Sequence, residues 1–555
     1  MTILTINIKE LEKKIGKIDE KMEDRISMFG TPIEKIDDNE LSIEIFPNRP
    51  DLLSFQGFTR SFRKFLGKDN KMYTYIVEKP LKDYKVIIEN SVKKVRPYTV
   101  CAIVKEINFT NDKIKEIIDI QEKLHASYGR NRKKIAIGIY PLENIKLPIR
   151  FLAKKPEEII FQPLEFPREI NGIQILSKHP AGREYGHLLK DCKLFPIFQD
   201  SNNEILSMPP IINSNKTGKI TENTKDIFIE CSGYNQEYLK KSLNIIACIL
   251  ADLGGKIYSM FIENKSENKK YISPDLEYEK MKFSIDFLNK NLGVSFNDKE
   301  IKKYLLKMGI GLEKKNKVVF ALIPPYRTDI IHEIDLSEEV GIAYGYENFK
   351  PEIPLISTIG EENKFAIIKR NLSSLLIGLG FLEISSYHLS TKEKQFTKLG
   401  YKNYEDKVIE VIDSKMERNV LRNSLLAKSI EILSENSDAS YPQKIFEIGK
   451  VFYNSNINTG ETGIEEVEKL CIVSCHEKAN FTEMKQILEY LLKMFNLNYN
   501  IKEGSHTSFI DGRCGEILIN NKSVGVIGEI HPKVLQDNRI DMPVASIDIK
   551  TEVFL

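Results

Sequence analysis

Five carboxylates stand within eleven residues of this chain, from Asp329 to Glu339. They follow a strand-like run, Val318–Ile323, and the proline-rigid segment Pro324-Pro325-Tyr326-Arg327. Because like charges this close together repel one another, the segment folds only if a cation, a partner or a helix N-terminus stabilises it. The acidic motif therefore constrains both the local fold and the function.

Two interpretations of the acidic motif remain open. Asp335 and Glu338 fit the N-cap and third helical position of a capping box, and Glu339 would favour the positive end of the helix dipole. That leaves Asp329 unexplained, although Arg327 could pair with it. Alternatively, Asp329 folds back towards the helix start, and all four acids hold a hard cation such as Mg²⁺, which takes oxygen ligands and usually keeps several waters.

The length of the chain requires several cores. A domain takes about 100–200 residues, so 555 residues predict three to five domains. A composition of 41% hydrophobic and 29% charged residues is typical of a folded soluble protein. The sequence contains no run of about 18 apolar residues, so we expect no membrane span. The first ten residues lack the basic-then-apolar order of a signal peptide. Seven scattered cysteines indicate reduced thiols, and we expect a cytoplasmic protein.

The pattern of helices and strands predicts an α+β multidomain fold. Four parts are expected: a small N-terminal αβ unit (1–85), a mixed αβ domain (90–265), a small helical or winged module that carries the acidic motif (270–355), and a mainly antiparallel sheet with helices (360–555). In the first part, Asp51 is predicted to cap a helix that runs to about Leu66, with Arg60 and Lys64 on its solvated face. In the third part, Asn297 and Glu300 predict a capping box.

A polar, glycine-bearing block around His179 forms a second candidate site. Arg183, Glu184 and His187 could recognise or hydrolyse a polar group, or could hydrogen-bond only to one another and to their own loop. The sequence contains neither the phosphate-binding loop Gly-x-x-x-x-Gly-Lys-Ser/Thr nor a Gly-x-Gly-x-x-Gly that opens a helix. Any nucleotide chemistry is therefore expected on another chain.

Four separated segments, taken in order, resemble the β subunit of phenylalanyl-tRNA synthetase, of the shorter archaeal and eukaryotic kind. The segments are Phe46–Leu53, the block Gly182–Leu189 with Met208–Ser214, Pro324–Asn348, and His506–Pro543. Together they span most of the chain. The resemblance implies that residues 360–555 form a degenerate class II synthetase-like module without an ATP site.

The resemblance implies partners and a metal. The family's β subunit pairs with a catalytic α subunit, generally as an (αβ)₂ tetramer, and the α subunit binds ATP and phenylalanine and charges tRNA(Phe). The matching acids, Asp329, Asp335, Glu338 and Glu339, are assigned to Mg²⁺ in the family. The resemblance thus favours the metal interpretation over the capping interpretation. Both interpretations are compatible if the capping hydrogen bonds orient the carboxylates that bind the metal.

The resemblance also implies an editing function for residues 90–265, which would hydrolyse Tyr-tRNA(Phe) with Arg183, Glu184 and His187 as candidate residues. Where the family commonly has a histidine and an aspartate, this chain has Tyr140 and Pro141. Two alternatives to an editing synthetase subunit therefore stay open. One is a free-standing aminoacyl-tRNA hydrolase, and the other is a scaffold with an inactive editing domain.

Overall fold

The computed structural model describes residues 2–37, 39–316, 318–353, 356, 358–455 and 462–555. The chain forms two compact units, Met1–Glu352 and Ile353–Leu555. Among the helices of the described residues, none combines the length and the apolar run that a bilayer crossing requires. The predicted α+β class is confirmed by the mixture of sheets and helices in both units. The four domain boundaries stay predictions.

The first unit opens with a three-stranded antiparallel sheet in the order β1-β3-β2. Its elements are β1 (Thr2–Asn7), α1 (Ile8–Ile15), α2 (Glu20–Met28), β2 (Ile33–Ile36), β3 (Glu40–Ile45) and α3 (Phe55–Phe65). Three aromatic side chains of α3 pack around Phe29 in the buried core. This packing fixes the face that α3 turns towards the sheet.

Two expectations about α3 were wrong. The helix is capped by Ser54, whose Oγ accepts from the N–H of Gly57 at 3.0 Å, because the Asp51 carboxylate is engaged by Arg49 instead. Arg60 and Lys64 are buried rather than solvated. Arg60 donates to Asp252, a residue 192 positions away. A partner at that separation leaves no local signal, so the helical pattern alone predicted solvent.

The middle of the first unit is built on a seven-stranded and a five-stranded sheet, ordered β13-β12-β11-β8-β5-β16-β17 and β4-β15-β6-β14-β7. The elements are β4 (Val77–Glu78), β5 (Lys85–Ile88), β6 (Tyr98–Lys105), α4 (Asn111–Ala126), β7 (Ile135–Pro141), β8 (Ile149–Lys154), β9 (Ile160–Phe161), β10 (Ile170–Asn171), α5 (Gly172–Lys178), α6 (Pro180–Tyr185), β11 (Phe195–Gln199), β12 (Ile205–Met208), β13 (Ile212–Asn213), α7 (Asn215–Gly218), β14 (Ile227–Gly233), α8 (Gln236–Asp252), β15 (Lys256–Tyr258), β16 (Met260–Asn264) and β17 (Lys269–Ser273). Strands β7 and β14 are buried along their whole length.

The last part of the first unit is a small module with a three-stranded sheet, β18-β20-β19, and three helices. Its elements are β18 (Glu279–Phe283), α9 (Ile285–Leu292), α10 (Asp298–Lys307), β19 (Gly311–Lys315), β20 (Val318–Ile323) and α11 (Glu333–Tyr344). The capping box predicted for Asn297 and Glu300 is confirmed at the start of α10. Strand β20 spans the predicted residues and leads into the acidic motif.

The second unit is a seven-stranded, mainly antiparallel sheet in the order β21-β24-β25-β29-β28-β27-β26. Its elements are α12 (Lys364–Gly378), β21 (Leu382–Glu383), β22 (Leu389–Ser390), α13 (Lys392–Gln395), β23 (Val420–Leu421), α14 (Leu425–Glu435), β24 (Gln443–Asn454), β25 (Ile464–Cys475), α15 (Phe481–Met494), β26 (Asn500–Glu503), β27 (Phe509–Ile519), β28 (Lys522–Ile530), α16 (Pro532–Asp537) and β29 (Val544–Lys550). Helices α12 and α15 share one apolar core with the sheet, and α14 shares a second.

Candidate functional site

A cavity of about 480 Å³ lies in the first unit between α4, β7, β14 and the segment 207–220. Its volume falls in the range of about 300–1,000 Å³ that small-molecule sites occupy. Apolar side chains from α4, β7 and the Pro209–Ile212 segment form most of its wall. Its polar lining includes Ser207, Asn213 and Glu230. A mostly apolar cavity with a few polar groups suits a small organic group better than a polyanion.

The polar groups meet at the phenol of Tyr140. Its Oη lies 2.7 Å from Ser207 Oγ, 3.3 Å from Asn213 Oδ1 and 3.3 Å from Glu230 Oε1. The sheet register makes this cluster possible, because Glu230 on β14 stands opposite Gly138 on β7. A Cβ at Gly138 would lie 2.2 Å from the Tyr140 hydroxyl and 2.6 Å from Glu230 Oε1. Glycine is therefore required for the two polar side chains to meet.

Glu230 is the buried carboxyl of this cluster, and its Oε2 has no hydrogen-bond partner among the described residues. The Ser232 hydroxyl is close enough to lower the pKa of Glu230, but it completes no hydrogen bond to Oε2. Burial raises the pKa of Glu230 to about 8, against the opposing effects of the Arg96 guanidinium and of Tyr140. The carboxyl is therefore mostly neutral near pH 7. A buried acid with a shifted pKa in a cavity marks a candidate functional group.

A second polar group of the cavity, on α4, is already saturated. The Nε2 atom of His125 accepts from the N–H of Ile137 at 2.8 Å, so its proton sits on Nδ1, 3.2 Å from Glu122 Oε1. Burial lowers the pKa of His125. Arg132 donates to both oxygens of Glu122, at 2.9 and 3.0 Å, and to the carbonyl of Ile211 at 2.8 Å. Because both His125 nitrogens are engaged, this imidazole orders the wall of the cavity.

The residues predicted from the polar block lie elsewhere. Arg183, Glu184 and His187 are exposed, and none of these three described residues lines the cavity. Arg183 donates from Nε to the carbonyl of Ser177 at 3.0 Å, and His187 Nδ1 lies 3.0 Å from the carbonyl of Glu184. The polar block reaches the cavity wall through other residues: the Tyr185 ring lies 4.3 Å from the Arg132 guanidinium carbon, and His179 Nε2 lies 3.1 Å from the carbonyl of Leu164. The assignment of the three residues to editing stays a prediction.

Sequence reasoning missed the cavity group Glu230. The signal was present, since Glu230 interrupts the apolar run Ile227–Ile229 in a strand predicted from the pattern. A charged residue inside a strand buried on both faces needs a partner or a function. The departure at Tyr140 was noted from the sequence, but its contact with Glu230 was not.

The acidic motif is organised around Arg327, which is almost fully buried. Its Nε and Nη2 donate to the two oxygens of Asp329 at 2.8 and 2.7 Å, and its Nη1 donates to Glu339 Oε2 at 3.0 Å. Although burial opposes ionisation of Asp329, the Arg327 guanidinium lowers the pKa of that carboxyl to about 2. Asp329 and Glu339 are thus bridged by one cation that the chain itself supplies.

The predicted position of the cap was wrong. Helix α11 is capped by His332, whose Nδ1 accepts from the N–H of Ile334 at 3.2 Å, and Asp335 is the third helical residue. Asp335 Oδ2 accepts from the N–H groups of Ile331 and His332, each at 2.7 Å. A capping box is therefore present, three residues earlier than the spacing predicted. Glu338 is exposed.

The predicted magnesium ligands do not fit one ion as a set of four. Asp329 and Glu339 bind a guanidinium, Asp335 Oδ2 binds two N–H groups, and Glu338 faces solvent. Within the described ranges, no group of three or more His, Cys, Asp or Glu side chains is arranged to hold a metal ion. The magnesium assignment stays a prediction, which this geometry does not support.

Comparison with known proteins identifies relatives along the whole chain. Residues 350–551 match the family model described as phenylalanyl tRNA synthetase beta chain CLM domain, and residues 281–346 match the tRNA synthetase B5 domain. The phenylalanine–tRNA ligase beta subunit of Archaeoglobus fulgidus is 36% identical over 558 residues, covering 100% of this chain and 99% of that protein. The protein of the same name from Methanococcus vannielii is 36% identical over 566 residues, covering 100% of both.

A solved structure matches a large part of the chain. It is an N-terminal fragment of the phenylalanyl-tRNA synthetase beta subunit from Pyrococcus horikoshii. The two share 34% sequence identity with a TM-score of 0.58, and the match covers 62% of this chain and 99% of that fragment.

Proposed function

This chain belongs to the family of phenylalanine–tRNA ligase β subunits, and from that premise we propose that it is the β subunit of a heteromeric ligase in which the Glu230 cavity edits mischarged tRNA. In this assembly the partner α subunit binds ATP and phenylalanine and charges tRNA(Phe), within an (αβ)₂ tetramer. The β subunit hydrolyses Tyr-tRNA(Phe).

One observation carries the editing part of the proposal: Glu230, whose buried Oε2 has no hydrogen-bond partner among the described residues, lines a cavity with apolar walls. A phenol hydroxyl both donates and accepts, so tyrosine can pair with this carboxyl in either protonation state. Phenylalanine would leave the carboxyl unpaired, at a cost of about 1–3 kcal/mol. At about 1.4 kcal/mol per factor of ten, that cost corresponds to roughly five- to 150-fold selection for tyrosine.

This selection complements the synthetic site. An apolar pocket that accepts phenylalanine rejects an added hydroxyl poorly, whereas a site built to hydrogen-bond a hydroxyl rejects the analogue that lacks it strongly. The cavity at Glu230 is a site of the second kind, which hydrogen-bonds a hydroxyl. It would therefore remove the product that the synthetic site fails to exclude.

A second candidate function is favoured by Tyr140. Its hydroxyl lies 3.3 Å from Glu230 Oε1, so this chain already places one phenol of its own against the carboxyl. If that contact takes the place of the substrate phenol, the domain is a scaffold with an inactive pocket. The volume of about 480 Å³ that remains beside Glu230 supports the active pocket over this alternative.

The proposal assigns magnesium to the charging reaction of the α subunit and not to editing. ATP-dependent charging by the α subunit is expected to use Mg²⁺ on the nucleotide phosphates. A separate site formed by Asp329, Asp335, Glu338 and Glu339 stays a prediction, and no step of the proposed editing reaction depends on it.

The test uses the chain co-purified with its candidate α subunit. Hydrolysis of Tyr-tRNA(Phe) is measured for the wild-type complex, for Glu230→Leu and for His187→Ala, with the charging rate as the control for assembly. We expect Glu230→Leu to lower hydrolysis roughly five- to 150-fold with unchanged charging, and His187→Ala to leave both rates unchanged. The opposite pattern would move the editing site to the exposed polar block.

The wild-type rates distinguish the alternative functions. A complex that charges tRNA(Phe) but does not hydrolyse Tyr-tRNA(Phe) would identify a scaffold with an inactive pocket. Hydrolysis by the isolated chain, without a stable partner, would identify a free-standing hydrolase. Charging by the isolated chain would refute the assignment of synthesis to the α subunit.

A further inference from the structure

We propose that Arg327 is the resident cation of the acidic motif and that it keeps Mg²⁺ from binding to Asp329 and Glu339. The inference concerns a part of the chain that the editing proposal does not use. It replaces a four-ligand magnesium site by an internal ion-pair network, which leaves Asp335 and Glu338 as the outer acids of the motif.

The guanidinium contacts all four oxygens of the two inner carboxylates. Asp329 Oδ1 and Oδ2 lie 2.8 and 2.7 Å from Nε and Nη2, and Glu339 Oε2 and Oε1 lie 3.0 and 2.8 Å from Nη1 and Nη2. Nη1 also donates to the carbonyl of Met308 at 3.3 Å. A planar guanidinium presents five N–H donors in a fixed fork, which suits two carboxylates that face each other. Each of the four oxygens therefore lies within 3.0 Å of one of its nitrogens.

A magnesium ion ligated by both acids would need the same space. Mg²⁺ requires oxygen ligands at about 2.0–2.1 Å in a near-octahedral shell. An ion between Asp329 and Glu339 would meet the guanidinium of Arg327, whose side chain is only 1% exposed. A dication beside a buried cation is strongly disfavoured. Arg327 would have to leave before the metal could enter.

The backbone and its neighbours hold Arg327 in place. Its N–H donates to the carbonyl of Pro324 at 3.0 Å, which closes a turn on the proline-rigid segment. The preceding Tyr326 is buried, with its ring 3.9 Å from the guanidinium carbon of Arg60. The following Thr328 donates from Oγ1 to the carbonyl of Asn48 at 3.1 Å. These contacts fix the backbone on both sides of Arg327 and so hold its side chain at the position from which it reaches both acids.

The Phe46–Leu53 segment adds a second ion pair beside the first. Arg49 donates to both oxygens of Asp51 at 2.9 Å each, and its positive charge also acts on Asp329. Two arginines thus face the three carboxylates Asp51, Asp329 and Glu339. This leaves one net negative charge in the buried part of the motif, which removes most of the attraction for a dication. Two of the sequence segments that supplied the family resemblance therefore carry neighbouring ion pairs whose charges act on one another.

The test measures metal binding directly, on the full chain alone and in its complex with the α subunit. Mn²⁺ serves as the probe for Mg²⁺, because its free and bound forms are distinguished by electron paramagnetic resonance. The partner contributes sites of its own, so each measurement is compared with the matched variants Asp329→Asn and Asp335→Asn/Glu338→Gln. We expect Asp329→Asn to leave the amount of bound Mn²⁺ unchanged in both preparations.

The proposal is overturned if Asp329→Asn binds one Mn²⁺ per chain fewer than the wild type and if excess Mg²⁺ displaces that same ion from the wild-type protein. Loss only in Asp335→Asn/Glu338→Gln would support the proposal, since it would assign the ion to the outer acids. A second part of the test uses a variant that is expected to gain Mg²⁺ binding. Arg327→Gln should unfold at a lower urea concentration than the wild type and should be restabilised by Mg²⁺, and Arg327→Gln/Asp329→Asn should not be restabilised. If Arg327→Gln does not fold, the Asp329→Asn measurement alone decides.

Discussion

The most direct physical consequence of the cavity is a pH-dependent stability that depends on Glu230. In the folded chain this carboxyl keeps its proton up to a pKa of about 8, compared with an ordinary value of 4.5. Between about pH 5 and pH 8 the folded state therefore holds one proton that the unfolded state has released. The free energy of unfolding must fall as the pH rises through this window, and it must level off above the folded pKa.

The magnitude follows from the size of the shift. One proton corresponds to a slope of about 1.4 kcal/mol per pH unit. Over the full window the loss is on the order of 4–5 kcal/mol, a large part of the stability of an ordinary domain. In Glu230→Gln the side chain keeps its shape but cannot ionise. The difference in unfolding free energy between the variant and the wild type should therefore rise from about pH 5 to pH 8.

The assay must report the sheet that contains Glu230, because the chain has two compact units and no tryptophan. The protein is equilibrated in urea at each pH and then pulse-labelled with deuterium at one fixed pH. Mass spectrometry of peptides from β7 and β14 then gives the unfolding of this sheet. The matched control is Glu143→Gln, which removes the same charge from an exposed position just after β7.

The shape of the difference curve decides the outcome. A constant offset between Glu230→Gln and the wild type at every pH would show that Glu230 is ionised in the folded chain, and the argument for a neutral carboxyl would fail. A slope of the same size in Glu143→Gln would show that the effect belongs to net charge and not to burial.

Three further predictions test other parts of the fold. Gly138→Ala should lower Tyr-tRNA(Phe) hydrolysis more than tenfold and leave charging unchanged in deacylation and aminoacylation assays, because its Cβ would lie 2.2 Å from the Tyr140 hydroxyl and 2.6 Å from Oε1 of the Glu230 carboxyl. Asn297→Ala should destabilise the first unit by about 0.5–2 kcal/mol in urea unfolding, whereas Asn297→Asp should retain the cap. Arg422→Met should cost about 3–5 kcal/mol in the unfolding of the second unit, because the buried Glu447 keeps its Ser386 donors but loses its only cation among the described residues, and Arg422→Met/Glu447→Met should recover much of that loss.

Local signals in the sequence were enough to predict those features of the fold that depend only on neighbouring residues. The capping box at Asn297 and Glu300 needs only a spacing of three residues, and strand β20 needs only its apolar run. The predicted start of α11 was wrong, and the reason is also local. His332 is rarely counted among capping residues, yet its ring nitrogen accepts the N–H of Ile334, and Asp335 closes the box from the third position.

Long-range pairing explains the remaining failures. Arg60 was assigned to solvent because its partner Asp252 belongs to another helix, and Glu230 was overlooked because Tyr140 reaches it across a strand pair. In both cases a charged residue in an apolar context was the visible sign, and the partner was the missing information. The burial of a charge can be suspected from sequence, but what compensates it depends on the topology of the sheet.

The acidic motif shows how one long-range contact changes an interpretation. Pairing between Arg327 and Asp329 could be anticipated, because they are two residues apart. The contact with Glu339 could not, since it requires the turn at Pro324 and the second turn of α11 to meet. Once Arg327 binds both acids, the repulsion that first called for an external cation is already relieved inside the chain. The residue that decides between a metal and a cap is therefore the arginine that precedes the carboxylates.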